Sequence, residues 1–233
     1  MASLGGDLSP TLVDVAELVD ALGLGSSRLF CGGSSPLIDT NISHLNCVHL
    51  LFIFMKAANA EPLDFREFPE VILRVREDGE FVDKNTHDLF RDKKVIVFGV
   101  PGAFTPTCST AHLPGFEKLY FDFINHGIDE VYCHSVNDSF TMKAWFESLG
   151  VFHVKPLADG NAHLAAMMNT LVTKINCGFG LRTWRYCCMV DNLETKVYFE
   201  EAGKKDDYDG DPFDNTSADQ LFDWVQAYHI SSL

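Results

Sequence analysis

The sequence predicts an α/β domain of three layers, in which helices cover both faces of a sheet. Two observations support this class: apolar, β-branched runs alternate with stretches of helical spacing from residue 71 onward, and the chain closes with a strand pair and a helix. The clearest strand covers residues 93–100, where apolar residues follow one another between two lysines and Pro101. Such an unbroken apolar run indicates a strand that is buried on both faces.

A hairpin and a short helix are predicted ahead of this strand. Four of residues 71–75 are apolar, and three of these four are β-branched. Asp78 and Gly79 form a turn dipeptide, and residues 81–82 begin the return strand. Threonine is a residue type that caps helices, so Thr86 is predicted to cap a short helix that ends at Phe90.

The stretch after the clearest strand predicts a helix, a second strand and a second helix. Apolar residues recur at helical spacing over residues 111–125, and Gly127 ends this helix. Residues 130–136 are predicted to form a strand. Asp138 then caps a helix that runs to Gly150.

The last third of the chain completes the alternation. Residues 154–157 are predicted to form a short strand, and a helix capped by Asn161 runs to about residue 174. Residues 185–191 and 196–200 are predicted to pair as antiparallel strands, and residues 217–228 form the closing amphipathic helix. With 46% apolar residues among 233, we expect one packed domain over residues 61–233.

Cys108 lies at the predicted turn from the clearest strand into the following helix. The first backbone N–H groups of a helix have no partner within it, and their partial positive charge favours a thiolate. A lone cysteine in an apolar chain is ordinarily an inert core residue. Here the neighbours favour a reactive role, because two stiffening prolines, a glycine and two hydroxyls surround the sulfur: Pro101, Gly102, Thr105, Pro106 and Thr107.

The pattern Pro101-x-x-x-Thr105-x-x-Cys108 resembles the active-site signature of the peroxiredoxins. The longer run PGAFTPTCSxxHxPGF, at 101–116, is similar to the type II, or peroxiredoxin-5-like, subfamily, with a particular likeness to one-Cys antioxidant members of apicomplexan parasites. Similarity continues at 136–145, 158–161 and 180–186. The resemblance implies a thioredoxin-like three-layer fold with peroxiredoxin additions.

The resemblance also implies roles for four residues. Cys108 would attack a peroxide and become a sulfenic acid, Thr105 would hydrogen-bond the peroxide and the thiolate, and Pro101 would shield the sulfur from water. Arg185 matches the active-site arginine of the family, although on spacing alone Arg182 is an obvious rival. His112, one turn beyond Cys108, is expected to support the local structure, with tuning of the thiol as the alternative role.

The regeneration step leaves alternatives open. Type II members of the plant kind carry a second cysteine twenty-five residues after the first, and Cys133 stands at that spacing; members of the animal kind use a C-terminal cysteine, and none follows Cys188. Cys133 is therefore the candidate resolving residue, although its predicted strand is equally compatible with a core cysteine. We hypothesise a one-Cys cycle reduced by glutathione or glutaredoxin, with thioredoxin as the rival donor.

The activity that the resemblance implies is a thiol-dependent peroxidase acting on hydrogen peroxide and organic hydroperoxides. The alternatives are a redox sensor that relays oxidation from Cys108 to a partner protein, and a non-catalytic binding or chaperone module on the same fold. Peroxiredoxins of this kind usually form homodimers around the active-site helix, where Phe104 and Pro106 would supply apolar surface.

Composition excludes several partners. The formal net charge of −15 argues against nucleic acid and anionic membranes, and no apolar run reaches the ~20 residues of a spanning helix. Seven cysteines without a C-x-x-C motif indicate a reducing compartment, so we expect a cytoplasmic protein, with a mitochondrial, plastid or peroxisomal location as the alternative. Cys108 and His112 alone do not make a metal site, and no cofactor is expected.

Two further segments are interpreted from composition. Residues 204–215 are acidic and suggest a calcium loop, but Pro212 replaces the required glycine and Ala218 the final glutamate, so a solvated insertion is expected. Residues 1–60 differ from the rest and are expected to be a poorly ordered extension or a non-native N-terminus, with Met55 as the working start. Mass spectrometry of the native N-terminus would test this, and a chain beginning near Met1 would contradict it.

Overall fold

The computed structural model describes residues 67–231. The expectation for residues 1–60 therefore lies outside the described residues. The first half of the described chain contains four strands, four helices and a π-helical turn: β1 (Ile72–Glu77), β2 (Glu80–Asn85), α1 (Thr86–Phe90), β3 (Lys94–Gly99), the π-helical turn (Cys108–His112), α2 (Leu113–Lys118), α3 (Tyr120–Asn125), β4 (Glu130–Ser135) and α4 (Ser139–Leu149).

The second half adds five strands, two α-helices and a short 3₁₀-helix: β5 (Lys155–Ala158), α5 (His163–Met167), β6 (Leu171–Lys174), the 3₁₀-helix (Ile175–Cys177), β7 (Gly180–Thr183), β8 (Tyr186–Asp191), β9 (Glu194–Glu200) and α6 (Ala218–Ser231). Among the helices of residues 67–231, none combines the length and the hydropathy that spanning a bilayer requires.

The central sheet has five strands in the order β5-β4-β3-β8-β9. β3 pairs in parallel with β4 and antiparallel with β8, so the strand predicted to be the most buried lies in the middle. The register places Gly99, the last residue of β3, opposite Tyr186, the first residue of β8. This register brings the segment before β8 next to the end of β3, where the chain turns toward Cys108.

Two apolar layers cover the two faces of this sheet. Ile96 and Phe98 of β3 pack in one layer with Phe116, Trp145 and Leu221 from the helices after Cys108. The alternate residues of β3 pack in the other layer, with Phe90 of α1, Leu164 of α5 and the β1–β2 hairpin: Val95 and Val97. The predicted three-layer α/β class is therefore confirmed.

The helix predicted over residues 161–174 is wrong beyond its first turns. α5 ends at Met167, and Asn169 has a left-handed backbone with a φ of 55°. Residues 171–174 instead form β6, which pairs with β7, a strand that the sequence did not predict. The predicted cap is also wrong, because the Asp159 carboxylate, rather than Asn161, accepts the backbone N–H groups of α5.

The predicted cap of α1 is displaced by one residue. Asn85, rather than Thr86, accepts the N–H of His87 through its side chain. The Thr86 hydroxyl instead donates to the Pro69 carbonyl and accepts the N–H of Val71, and both bonds are buried. Thr86 therefore ties the start of the first hairpin to the helix that follows it.

The helix after Cys108 is interrupted where one continuous helix was predicted. It leaves α-helical geometry at Leu119, whose φ is −91° and ψ is 5°, and this splits α2 from α3. Its first turn contains the π-helical segment at Cys108, and Gly127, with a φ of +82°, follows its end as predicted.

Candidate active site

Cys108 begins the π-helical turn and its side chain is fully buried. The turn that leads to it begins with Pro101, which is also buried, directly after Val100 has donated its N–H to the His134 carbonyl of β4. The sulfur therefore lies at the carboxyl end of the central strand, inside the layer that also contains Phe98 and Phe116.

The segment 101–105 is held by internal hydrogen bonds. The Thr105 hydroxyl donates to the Gly102 carbonyl at 2.8 Å, and the Ala103 N–H donates to Asn137 Oδ1 at 3.0 Å. Phe104 takes a left-handed backbone with a φ of 63°. The Thr105 carbonyl accepts the N–H of Ser109 at 3.0 Å, which joins this turn directly to the helix that carries Cys108.

The two rival arginines lie in different places. Arg185 is buried, and its Nη1 donates to Cys108 Sγ at 3.6 Å. Arg182 is half-buried and its Nη1 donates to the carbonyls of Val136 and Leu181. The structure therefore brings Arg185, and not Arg182, to the sulfur.

The segment 211–216 holds the Arg185 guanidinium from its far side. Asp211 forms an ion pair with Nη2, the Pro212 carbonyl accepts from Nε at 2.9 Å, and the Phe213 ring centroid lies 5.5 Å from the guanidinium carbon. Residues 204–215 are largely exposed, as a solvated insertion would be. That interpretation is incomplete, however, because the end of this loop fixes the arginine beside Cys108.

His112 joins the same network. Its Nδ1 accepts from Arg185 Nη1 at 3.1 Å, so its Nε2–H donates to the Thr216 carbonyl at 3.0 Å. Burial first, and the Arg185 charge second, hold the pKa of His112 well below its ordinary value of 6.5, although the bond to Thr216 acts in the opposite sense. A neutral His112 is what these contacts require, because a protonated ring could not accept from the guanidinium.

We predict that His112 makes the folded state sensitive to mild acid. The pKa of His112 is lower in the folded state than in the unfolded state, so the unfolded chain binds the proton first as the pH falls. The free energy of unfolding therefore decreases as the pH drops below about 6.5. The slope from one proton reaches at most about 1.4 kcal/mol per pH unit. Urea unfolding between pH 7.5 and pH 5 measures it.

The His112→Gln variant should lose this slope, whatever its stability at neutral pH. The exposed His163→Gln variant is the matched control and should keep it. An unchanged slope in His112→Gln would show that other groups carry the acid sensitivity.

Cys133 lies in the same apolar layer as Cys108 and is fully buried in β4. Burial first, and the neighbouring Cys108 second, raise the pKa of its thiol well above 9.0, while Arg185 acts in the opposite sense. Cys187 and Cys188 are also buried, on opposite faces of β8, and Cys177 is exposed. The surroundings of Cys133 are those of a protonated core thiol.

Sequence reasoning missed the residues that hold the site from outside the motif. Asp211 lies in the acidic segment 204–215, for which a solvated insertion is predicted, and Asn137 lies in the stretch 136–145 that resembles the family. Pro212 and Thr216 act through backbone carbonyls, which leave no side-chain signal in a sequence. Within residues 67–231, no three His, Cys, Asp or Glu side chains are grouped so that they could bind a metal ion.

Comparisons with known proteins identify the family. The Redoxin family profile matches residues 65–215. A peroxiredoxin of Rhizobium etli is 46% identical over 145 residues, which cover 62% of this chain and 81% of that protein. Peroxiredoxin-2C of Arabidopsis thaliana is 41% identical over 128 residues, covering 54% and 79%.

Solved structures agree with this assignment. The Plasmodium falciparum antioxidant protein, a 1-Cys peroxiredoxin, superposes with a TM-score of 0.66 at 34% identity, covering 69% of this chain and 96% of that one. Reduced Prx3 of Vibrio vulnificus, in complex with hydrogen peroxide, superposes with a TM-score of 0.63 at 33% identity, covering 69% and 96%. The chain therefore belongs to the Redoxin family and, within it, to the peroxiredoxins, which are thiol-dependent peroxidases.

Proposed function

We propose that Cys108 reduces hydrogen peroxide and small organic hydroperoxides in a one-Cys cycle. The observation that carries this proposal is the buried Arg185 guanidinium, whose Nη1 lies 3.6 Å from Cys108 Sγ. A positive charge at this distance, in a site shielded from water, favours the thiolate, which is the nucleophilic form of cysteine. The relative from Vibrio vulnificus that was solved with hydrogen peroxide supports the choice of substrate.

In the oxidation step, the Cys108 thiolate attacks one oxygen of the peroxide ROOH. The S–O bond forms as the O–O bond breaks, the other oxygen leaves as ROH after taking a proton, and Cys108 becomes a sulfenic acid. Arg185 is the donor that we assign to the peroxide oxygens, where charge develops in the transition state. The Thr105 hydroxyl joins it by exchanging its bond to the Gly102 carbonyl for one to a peroxide oxygen. The buried Pro101 keeps water from the sulfur.

In the reduction steps, a first external thiol condenses with the sulfenic acid to form a mixed disulfide and water. A second thiol then releases the Cys108 thiol and leaves as an oxidised disulfide. We favour an external thiol over Cys133, because burial raises the pKa of Cys133 and so removes its thiolate. Glutathione or glutaredoxin is the proposed donor, with thioredoxin as the alternative, in the cytosol or in another reducing compartment.

We also propose a homodimer formed on the face around the active-site turn. Phe104 is 56% exposed there, and Pro106 next to it is exposed as well. Aromatic residues are enriched at protein interfaces, so these two residues are the apolar surface that we assign to the dimer contact. Sedimentation of the reduced protein should give twice the chain mass of 26.0 kDa, and a monomer at micromolar concentration would contradict the proposal.

The experiment that tests the cycle is the intact mass of the reduced protein after one equivalent of hydrogen peroxide, with free thiols counted before and after. A gain of one oxygen with the loss of one thiol supports the sulfenic acid that waits for an external donor. A loss of two hydrogens with the loss of two thiols would overturn the one-Cys cycle and make Cys133 the resolving residue. An unchanged mass would overturn the peroxidase role of Cys108.

A further inference from the structure

Among residues 67–231, Arg182 has no acidic partner. Its Nη1 donates to two backbone carbonyls, Val136 at 3.3 Å and Leu181 at 2.8 Å. Its Nε is buried without a hydrogen-bond partner, and its Nη2 has none within residues 67–231. Arg74 and Arg185 each pair with an aspartate, whereas the Arg182 guanidinium carbon lies 5.5 Å from the centroid of the Phe179 ring. The donors of Arg182 that lack an acceptor call for an explanation.

The donor of Arg182 that remains for a ligand is Nη2, because Nε is buried against Gly102 and Nη1 is used by two carbonyls. A charged N–H donor suits a carboxylate oxygen. Burial lowers the pKa of Arg182 because no neighbouring negative charge offsets the loss of water. A bound carboxylate would accept from Nη2 and supply that charge.

Arg182 lies in the wall of a cavity of about 390 Å³, named here the Arg182 cavity, which is also lined by Val136, Asn137, Asp138, Asn161 and Leu181. Asn137 contributes a second donor group. Its Oδ1 accepts from the Ala103 N–H and from the Ser135 hydroxyl, so its Nδ2 amide is the end without a partner in the described chain.

Asp138 is the one acidic residue in this lining, and its carboxylate is already occupied. Oδ1 accepts the N–H groups of Phe140 and Thr141, and Oδ2 accepts the Thr141 hydroxyl at 2.7 Å, all at the start of α4. These bonds stabilise the carboxylate at its own helix. The Asp138 charge still repels an anion in the cavity, and the Asp138→Asn variant measures this repulsion.

The cavity borders the turn that carries Cys108. A Cβ atom placed on Gly102 would lie 3.4 Å from Arg182 Nε and 3.3 Å from Thr105 Cγ2, so the guanidinium lies against the turn beside Thr105. Asn137 holds the next residue, Ala103. A molecule bound in the cavity is therefore placed at the edge of the segment that leads to the sulfur.

We propose that the Arg182 cavity binds the carboxylate of a small organic substrate of the Cys108 cycle. This inference rests on the proposed function. Two substrates of the cycle can supply the carboxylate: the thiol RSH, which attacks the sulfenic acid to give the mixed disulfide and water, or the hydroperoxide ROOH, which gives ROH and the sulfenic acid. Since Cys108 is fully buried, a thiol substrate reaches the sulfur only after the turn 101–105 moves. Arg182 would hold that thiol substrate beside the turn until it moves.

The test measures ratios of rates for matched pairs of substrates. In the thiol arm, protein oxidised with hydrogen peroxide is reduced by 3-mercaptopropionate or by the neutral 3-mercaptopropanol. In the peroxide arm, the reduced protein reacts with the hydroperoxide of linoleic acid or of its methyl ester. In at least one arm, Arg182→Gln should lower the ratio of charged to neutral substrate about tenfold. Arg182→Lys should fall in between, because it keeps the charge but not the planar guanidinium geometry.

Two further variants guard the interpretation. Arg91→Gln removes the same charge at an exposed position and should leave both ratios unchanged, so it corrects for the general repulsion of anions by this acidic chain. Asp138→Asn keeps a residue that caps helices while removing the opposing charge, and it should raise the ratio in the arm that Arg182→Gln lowers. This variant keeps the test decisive if Arg182→Gln folds poorly.

The two proposals fail differently. If hydrogen peroxide oxidises Cys108 but neither ratio changes in Arg182→Gln or Asp138→Asn, the carboxylate subsite is overturned and the peroxidase cycle stands. If hydrogen peroxide leaves Cys108 unoxidised, both proposals fall together. A change confined to the thiol arm identifies the reductant as the carboxylate-bearing substrate, and a change confined to the peroxide arm identifies the hydroperoxide.

Discussion

The Cys108→Ser variant should lose hydrogen peroxide reduction to below detection, because a serine hydroxyl cannot replace the thiolate that attacks the O–O bond. The sulfur is fully buried in a packed layer, and oxygen is smaller than sulfur, so we expect the fold to be retained. The measurement is the initial rate of peroxide consumption with a saturating thiol reductant, together with the near-UV spectrum as a check of folding.

The matched control for this loss is Cys133→Ser. Cys133 is also fully buried in the same layer, so both variants place a hydroxyl in a similar environment. The one-Cys cycle predicts that Cys133→Ser keeps most of its peroxidase activity. Comparable loss of activity in the two variants, with both folded, would contradict that cycle and give Cys133 a chemical role.

The Arg185→Gln variant should lower the second-order rate of Cys108 oxidation by about 100-fold to 1000-fold. The guanidinium is the positive charge that faces the sulfur, and glutamine keeps a donor there without the charge. Removing it leaves the His112 ring and the Asp211 carboxylate without their partner. The rate can be followed by stopped-flow quenching of tryptophan fluorescence, with thiol counting as an independent readout.

A comparison with Asp211→Asn separates charge from positioning. Asp211 contacts Arg185 and not the sulfur, so its amide variant should lower the oxidation rate by a smaller factor, about tenfold. Arg182→Gln, in which the arginine does not contact Cys108, should retain far more of the hydrogen peroxide rate than Arg185→Gln. Equal losses in the two arginine variants would show that the contact to Cys108 is not what matters.

Strands of the central sheet could be predicted from the sequence because their burial requires unbroken apolar runs, as in β3 and β8. The β6–β7 hairpin could not be predicted, since its strands have four residues each and depend on each other for their hydrogen bonds. The apolar residues up to Met168 have helical spacing, and no strong stop signal follows them in the sequence. The helix ends before Asn169, whose backbone is left-handed, but an asparagine is also compatible with a helix and so does not predict this end.

The candidate site divides in the same way. The turn before Cys108 carries its residues within eight positions, so its motif is visible in the sequence. The choice between Arg182 and Arg185 depends on the pairing of Gly99 with Tyr186, which sets one arginine beside the end of β3. That pairing is a tertiary fact, and so is the contact of Asp211 with a residue 26 positions earlier.

Cys187 and Cys188 are neighbours in β8 whose thiols are sealed into opposite layers of the molecule. A short pulse of an alkylating reagent can modify Cys187 only when the apolar layer that contains α6 unfolds locally. It can modify Cys188 only when the layer that contains α1 and α5 unfolds locally. The alkylation rates of these two adjacent residues therefore report the opening rates of the two layers. Equal rates would mean that both apolar layers open in one cooperative event. Unequal rates would mean that one layer opens while the other stays packed on the sheet.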